Sequence, residues 1–169
     1  PDNKIIEKKD LKKFFFQTKY VKISHKSIES MGVRINDLSE APDAVYLAIP
    51  AGGVVAALQT LAQMGAGGVV CFSAGFKETG DVAAEQALID VTGDMALIGP
   101  NCYGVINYID NAALWSFEHG GWSPGYGAAI ITQSGMFSSD ITMSQRSLPL
   151  AYMVSAGNQA VLGQEDFLD

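Results

Sequence analysis

Four short segments carry the residue types that let a backbone approach a ligand closely: Ile49-Pro50-Ala51-Gly52-Gly53, Ser73-Ala74-Gly75-Phe76-Lys77-Glu78, Gly99-Pro100-Asn101-Cys102-Tyr103-Gly104 and Gln133-Ser134-Gly135-Met136. Each follows an apolar run, and small side chains there leave room for main-chain N–H groups to meet an anionic group. The N-terminus of a following helix adds unpaired N–H groups and the positive end of its dipole. Singly, each segment is ordinary turn chemistry. Asn101 suits a turn cap, and Cys102 reads as an inert buried thiol rather than a nucleophile. Ser134 is not a hydrolase nucleophile: Gln133-Ser134-Gly135 lacks the first glycine of GxSxG, and no Asp followed by His comes after it. His25 and His119 are isolated and read as ordinary structural or surface histidines. Trp115, Phe117 and Trp122 read as an aromatic connection packed on its own domain.

The elements that must position these segments are regular. Residues 44–49 form a continuous apolar run closed by Pro50, as expected of a strand buried on both faces. Helical spacing predicts a helix over 54–64, ended by Gly65, then a strand over 68–73. A helix over 82–91 follows, with Asp81 as N-cap and Gly93 just past its end, then a strand over 95–98. Strand, helix, strand, helix, strand in this order implies a parallel sheet with crossover helices. Upstream, a short amphipathic helix is expected over 1–16, a strand over 19–24, a helical turn over 28–32 and a brief edge strand over 33–35. Residues 107–127 lack a clear period, and a domain boundary is expected near 124–127. Beyond it come a strand over 128–132, a helix over 136–145 and a strand over 150–155. The expected organisation is a first domain over 1–125 and the opening of a second over 126–169, ending too early to close its own core.

Composition narrows the function classes. The chain has 169 residues, of which 48% are hydrophobic and 17% charged, a mixture suited to one good core and buried parallel strands. Its net charge is −7, yet residues 1–26 hold eight of the eleven basic residues and three of the eighteen acids, so the remainder carries −12. An acidic body argues against nucleic-acid binding, and the Lys-rich start reads as a solvated helix face. Two cysteines without CxxC spacing indicate neither a zinc site nor a disulfide framework, and a reducing cytoplasm is the simplest setting. No apolar run approaches the roughly 18 residues of a membrane helix.

Together and in order, the four turns resemble the NDP-forming acyl-CoA synthetase superfamily, which includes the succinyl-CoA synthetase α subunit and ADP-forming acetyl-CoA synthetases. The likeness runs over about 40–169. It rests on Ile49-Pro50-Ala51, on Ser73-Ala74-Gly75-Phe76 with Glu78, on Gly99-Pro100-Asn101-Cys102-Tyr103-Gly104 continuing into Val105-Ile106-Asn107, on Gln133-Ser134-Gly135, and on Ser155-Ala156-Gly157-Asn158. The resemblance implies an α/β chain: a Rossmann-like CoA-binding domain followed by the start of a flavodoxin-like domain. It implies a coenzyme A site at Pro50, Ala51, Ser73, Ala74, Gly75, Asn101 and Cys102, and a phosphate site at Ser134, Gly135 and Met136. It implies a reaction joining a carboxylic acid to CoA as ATP or GTP, with magnesium, becomes diphosphate and phosphate. By the same resemblance, an acyl phosphate and a phosphohistidine would be the intermediates. An ATP-grasp domain or subunit would be the partner, in a homo- or hetero-oligomer.

Two family features have no counterpart. No glycine precedes Gly32, so the family's first strand and Gly-rich loop are expected to be absent near 16–19. The phosphorylated histidine is expected beyond Asp169, so no catalytic residue falls in this chain, and in isolation it should bind CoA weakly at best. A stand-alone or regulatory CoA-binding module is the alternative. An NAD-dependent oxidoreductase is disfavoured because no GxGxxG follows a first strand, and the Gly65-Ala66-Gly67-Gly68 cluster precedes its strand.

Overall fold

The computed structural model describes residues 20–24, 35, 38–144 and 147–168. The helix expected over 1–16, the features expected near 16–19 and over 28–34, and His25 lie outside the described residues. The described chain forms eight strands and three helices. Strands β1 (Tyr20–Ser24), β2 (Ala44–Ala48), β3 (Gly68–Cys71) and β4 (Ala96–Ile98) pair in that order, all parallel. Helices α1 (Ala51–Met64) and α2 (Val82–Thr92) make the crossovers from β2 to β3 and from β3 to β4.

The apolar runs of this sheet are buried on both faces because each face meets a different core. Val45, Leu47, Val69, Cys71 and Leu97 point toward Val54, Leu58 and Leu61 of α1 and Leu88 of α2. Their neighbours Ala44, Tyr46, Val70, Ala96 and Ile98 point the other way, onto Val105, Leu114, Val154 and Leu162. Strand alternation thus divides one run between two cores. Each fully buried leucine contributes roughly 1.5–3 kcal/mol.

The second sheet has the order β6-β5-β8-β7, built from β5 (Gly104–Asn107), β6 (Ala112–Trp115), β7 (Ala128–Thr132) and β8 (Leu150–Ser155). Strands β7 and β8 are parallel, whereas β5 is antiparallel to both β8 and β6. Helix α3 (Gly135–Met143) leads from β7 toward β8, and Ile141 packs with Ile106, Trp115, Leu150 and Met153 on the sheet's outer face.

The structure corrects two expectations. Residues 107–127 contain β6 and follow directly from β5, so the region is not merely a connection. Asn107 Oδ1 accepts the N–H groups of Ile109 and Asp110, and Asn111 adopts a left-handed φ of 53°, which folds the two strands into a hairpin. Strands β5 and β6 before the boundary expected near 125 share one sheet with β7 and β8 after it. Helix α1 begins at Ala51 rather than at 54: Pro50 takes the N-cap position, its carbonyl accepting Gly53 N–H at 2.9 Å, and the glycines form the first turn. The N-cap of α2 is as expected, with Asp81 Oδ1 accepting Ala84 N–H at 2.9 Å.

Candidate functional site

The turns after β2, β3 and β4 converge at the carboxyl edge of the parallel sheet. They enclose a cavity of about 360 Å³ lined by Ala48, Ile49, Pro50, Phe72, Ser73, Ala74, Asn101, Cys102 and Tyr103. Five of the seven residues expected at a CoA site, Pro50, Ser73, Ala74, Asn101 and Cys102, line this one cavity. Ala51 and Gly75 lie just behind its rim against each other: a Cβ on Gly75, whose φ is 112°, would come within 3.1 Å of Ala51 Cβ.

The side chains contribute less than the backbone. Ser73 Oγ donates to Ile49 O at 2.5 Å and accepts Ile49 N–H at 3.2 Å, so this hydroxyl ties β2 to β3 from a buried position. Asn101 has a left-handed φ of 57° and donates its N–H to Ser73 O at 2.9 Å, tying the third turn to the second. The peptide bond between Gly99 and Pro100 is cis. Cys102 is buried, with its thiol 3.3 Å from Cys71 O and 3.5 Å from Ile98 O. Burial raises its pKa well above the ordinary 9.0 and raises that of Cys71 to about 12. Both are free, buried thiols, of which Cys102 alone lines the cavity, and thiolate chemistry is disfavoured at either.

What remains available for a ligand is geometry and amides. The first N–H groups of α1 have no acceptor within the helix, and the surfaces beside them are small: Pro50, Ala48 and Ala74. No acidic side chain stands in the first turn of this helix, so its donors suit an anionic group.

The residues expected to hold a phosphate stand at the start of α3. Ser134 is the N-cap, its Oγ accepting Phe137 N–H at 3.2 Å, while Gly135 and Met136 open the first turn with N–H groups free of intrahelical partners. Glycine is needed at 135 because a Cβ there would meet the Tyr103 ring at 2.9 Å. Tyr103 also forms a wall of a second hollow, of about 250 Å³, shared with Phe117, Met136, Ser139 and Asp140. One aromatic residue thus separates the two sets of expected ligand residues. Phe117 lies edge-on to Tyr103 at 4.9 Å and to Phe72 at 6.4 Å.

Sequence reasoning did not single out Phe72 and Tyr103 as lining residues. Tyr103 occupies the unspecified position of Gly-Pro-Asn-Cys-x-Gly, which no pattern marks. It also did not show that Asn158 reaches back to the first sheet, where Asn158 Nδ2 donates to Glu78 Oε2 at 2.5 Å and to Glu85 Oε2 at 2.9 Å. Glu78 anchors its own turn by accepting Gly75 N–H at 2.5 Å and Phe76 N–H at 3.2 Å. Burial alone would raise the pKa of Glu78; the bonds from Gly75, Asn158 and Phe76 outweigh it and hold the carboxyl below its ordinary value. The exposed His119 packs edge-on against Tyr108 at 5.3 Å, away from these turns, and partial burial lowers its pKa. Trp115 is buried in the core, as expected of a packed aromatic connection, whereas Phe117 and Trp122 are about half exposed. Among the described residues no group of three or more metal-ligating side chains occurs, and no helix is long and apolar enough to cross a membrane.

No family model matches the chain. Individual proteins do. A trans-feruloyl-CoA synthase from an unidentified prokaryote is 33% identical over 160 residues, covering 87% of this chain and 23% of that protein. An ADP-forming acetate–CoA ligase (form I) of Archaeoglobus fulgidus is 33% identical over 138 residues, covering 78% of this chain and 20% of the relative. The α subunit of an ADP-forming acetate–CoA ligase (form II) of Pyrococcus furiosus is 31% identical over 153 residues, covering 83% of this chain and 32% of the subunit. The chain therefore spans between a fifth and a third of the length of these relatives. The same fold occurs in a dinucleotide-forming acetyl-coenzyme A synthetase of Candidatus Korarchaeum cryptofilum, with a TM-score of 0.69, 23% identity, and coverage of 99% of this chain and 39% of that one. That enzyme is also known in complex with phosphate and ADP.

Proposed function

The chain belongs to the NDP-forming acyl-CoA synthetase superfamily, and from that premise we propose that it is the CoA-binding portion of an acid–CoA ligase. The observation that carries the proposal is the convergence of Pro50, Ser73, Ala74, Asn101 and Cys102 on one cavity at the carboxyl edge of a parallel sheet. Coenzyme A supplies the thiol that accepts the acyl group. The chain's own contribution is to bind and aim it: backbone amides of the turns and the start of α1 meet the phosphates, and the small lining residues leave the path open. An anion at a helix N-terminus gains about 0.3–1 kcal/mol, and up to about 2 when partly buried, so several such ends are needed for useful affinity.

In this reading the start of α3, Ser134, Gly135 and Met136, holds a phosphate during transfer, with Tyr103 between that phosphate and the thiol. The complete protein would convert a carboxylic acid, CoA and ATP or GTP, with magnesium, into acyl-CoA, nucleoside diphosphate and phosphate. The acyl phosphate and phosphohistidine steps would use a histidine and an ATP-grasp region outside residues 1–169. The ATP-grasp region would lie on the same polypeptide or on a second subunit, and the complete protein would be a homo- or hetero-oligomer. Two buried free cysteines are consistent with a reducing, cytoplasmic setting.

The test is calorimetric titration of the full-length protein with CoA and with NADH, repeated on Ala74→Glu, which puts a negative charge on the exposed rim. Saturable CoA binding, weakened tenfold or more by the substitution, supports the assignment. Tight NADH binding without CoA binding removes it. CoA binding with no acid-labile phosphate after incubation with ATP or GTP turns the reading into that of a regulatory module.

A further inference from the structure

The turn after β8 joins the two expected ligand-holding ends through one side chain. Every polar atom of the Asn158 carboxamide is engaged by the turns after β3 and β4 and by α2: Nδ2 donates to Glu78 at 2.5 Å and Glu85 at 2.9 Å, and Oδ1 accepts from Asn101 Nδ2 at 3.4 Å. Its main-chain N–H donates to Pro100 O at 2.8 Å. Glu78 passes the constraint to the amides of Gly75 and Phe76, and Asn101 passes it to Ser73 O. The rim of the cavity is therefore held by a residue of the turn after β8, 57 positions along the chain from Asn101.

The same turn is fixed on its far side. Ala156 N–H donates to Thr132 O at 2.8 Å, and Thr132 Oγ1 accepts Ser134 N–H at 3.1 Å, at the N-cap of α3. Ser155 Oγ accepts Tyr103 N–H at 3.0 Å, which seats the residue shared by both hollows. A continuous hydrogen-bonded path thus runs from the start of α3 through Ser155-Ala156-Gly157-Asn158 to the cavity rim.

We propose that Asn158 is the positioning residue that sets the CoA cleft in register with the phosphate-holding start of α3. It touches no ligand and acts through Glu78 and Asn101; the inference rests on the reading that the cleft takes CoA. The residue type follows from the partners. Two carboxylates, one of them the buried Glu85, require two N–H donors from one short side chain, which a carboxamide supplies. A carboxylate in its place would set three anionic groups together, and an apolar group would take one donor from each glutamate.

The experiment inverts the polarity of the network. In the full-length protein, CoA affinity is measured by calorimetry for the wild type, for N158D, and for E78Q combined with E85Q and N158D, in which two carboxamides donate to one carboxylate. Thermal melts accompany each. N158D is expected to weaken CoA binding by tenfold or more, and the inverted triple variant to return within about threefold of the wild type. A merely structural role does not give that recovery when the melts of the two variants agree. Wild-type CoA affinity in N158D overturns the inference, as does a triple variant that melts like the wild type yet binds as poorly as N158D. A wild type that binds no CoA overturns the functional reading itself, and this inference with it.

Discussion

Gly157→Ala is the substitution from which most can be learned. Gly157 adopts a φ of 60°, and a Cβ there would lie 2.3 Å from Pro100 O, 2.6 Å from Asn101 O and 2.7 Å from Cys102 Cβ. The nearest obstacle cannot retreat freely, because Pro100 O already accepts Asn158 N–H at 2.8 Å. Two costs add. A side chain in the left-handed region costs about 1–2 kcal/mol, and forcing atoms into a packed contact costs about 1–3 kcal/mol. Gly65 isolates the first cost: its φ is 78°, it closes α1, and a Cβ there meets nothing within 4 Å. Gly65→Ala should therefore lose only the conformational contribution. For a chain of this size, 1 kcal/mol moves Tm by about 2–4 °C, so Gly157→Ala should melt about 2–12 °C below Gly65→Ala. Circular dichroism melts of both variants at one scan rate measure the difference, and CoA titration should weaken in Gly157→Ala alone. Equal melting temperatures for the two variants would refute the close approach of the β8 turn to the Pro100-Asn101-Cys102 backbone.

Other outcomes follow from single features. Glu78 has a depressed carboxyl pKa, so its contribution is full above the unfolded value and is lost as pH falls through the folded one. The wild-type melting temperature should therefore fall on acidification below about pH 4.5, and Glu78→Gln should show a shallower slope across that window. Asp81→Ala removes the N-cap acceptor of α2 and should cost about 0.5–2 kcal/mol in a chemical denaturation curve, while Asp81→Asn keeps most of it. Leu61→Ala empties a fully buried position between α1 and the parallel sheet and should cost about 3–5 kcal/mol by the same measurement. Cys71 and Cys102 are both buried, so a disulfide reagent at pH 8 should label neither in the native protein and both in denaturant; rapid native labelling of Cys102 would contradict its inert placement.

Much of this architecture was legible because its signals are local. A run such as Ala44-Val45-Tyr46-Leu47-Ala48 has one comfortable place, between two cores. Asp81 before α2 and Gly65 after α1 mark ends whose unpaired backbone groups need those residue types. The strands at Ala128–Thr132 and Leu150–Ser155 have the limits their apolar patterns predict. The four small-residue turns were legible too, since small residues after a parallel strand leave the same trace wherever they occur.

The rest depended on residues distant in the chain. That β5 leaves the third turn to pair with β8, enclosing the expected domain boundary within one sheet, was decided by strand pairing, for which four residues carry too little pattern. Tyr103 became the wall between two hollows only because Gly135 admits its ring. Asn158 became the junction of three turns only when the fold brought Glu78, Glu85 and Asn101 around it. Sequence alone determined most of the strands and helices and which turns between them carry small residues, because hydrophobic burial and backbone conformation act within a few residues. Tertiary structure decided which of those turns meet and which side chains hold them, because hydrogen bonds and contacts act only between groups that folding has already brought together.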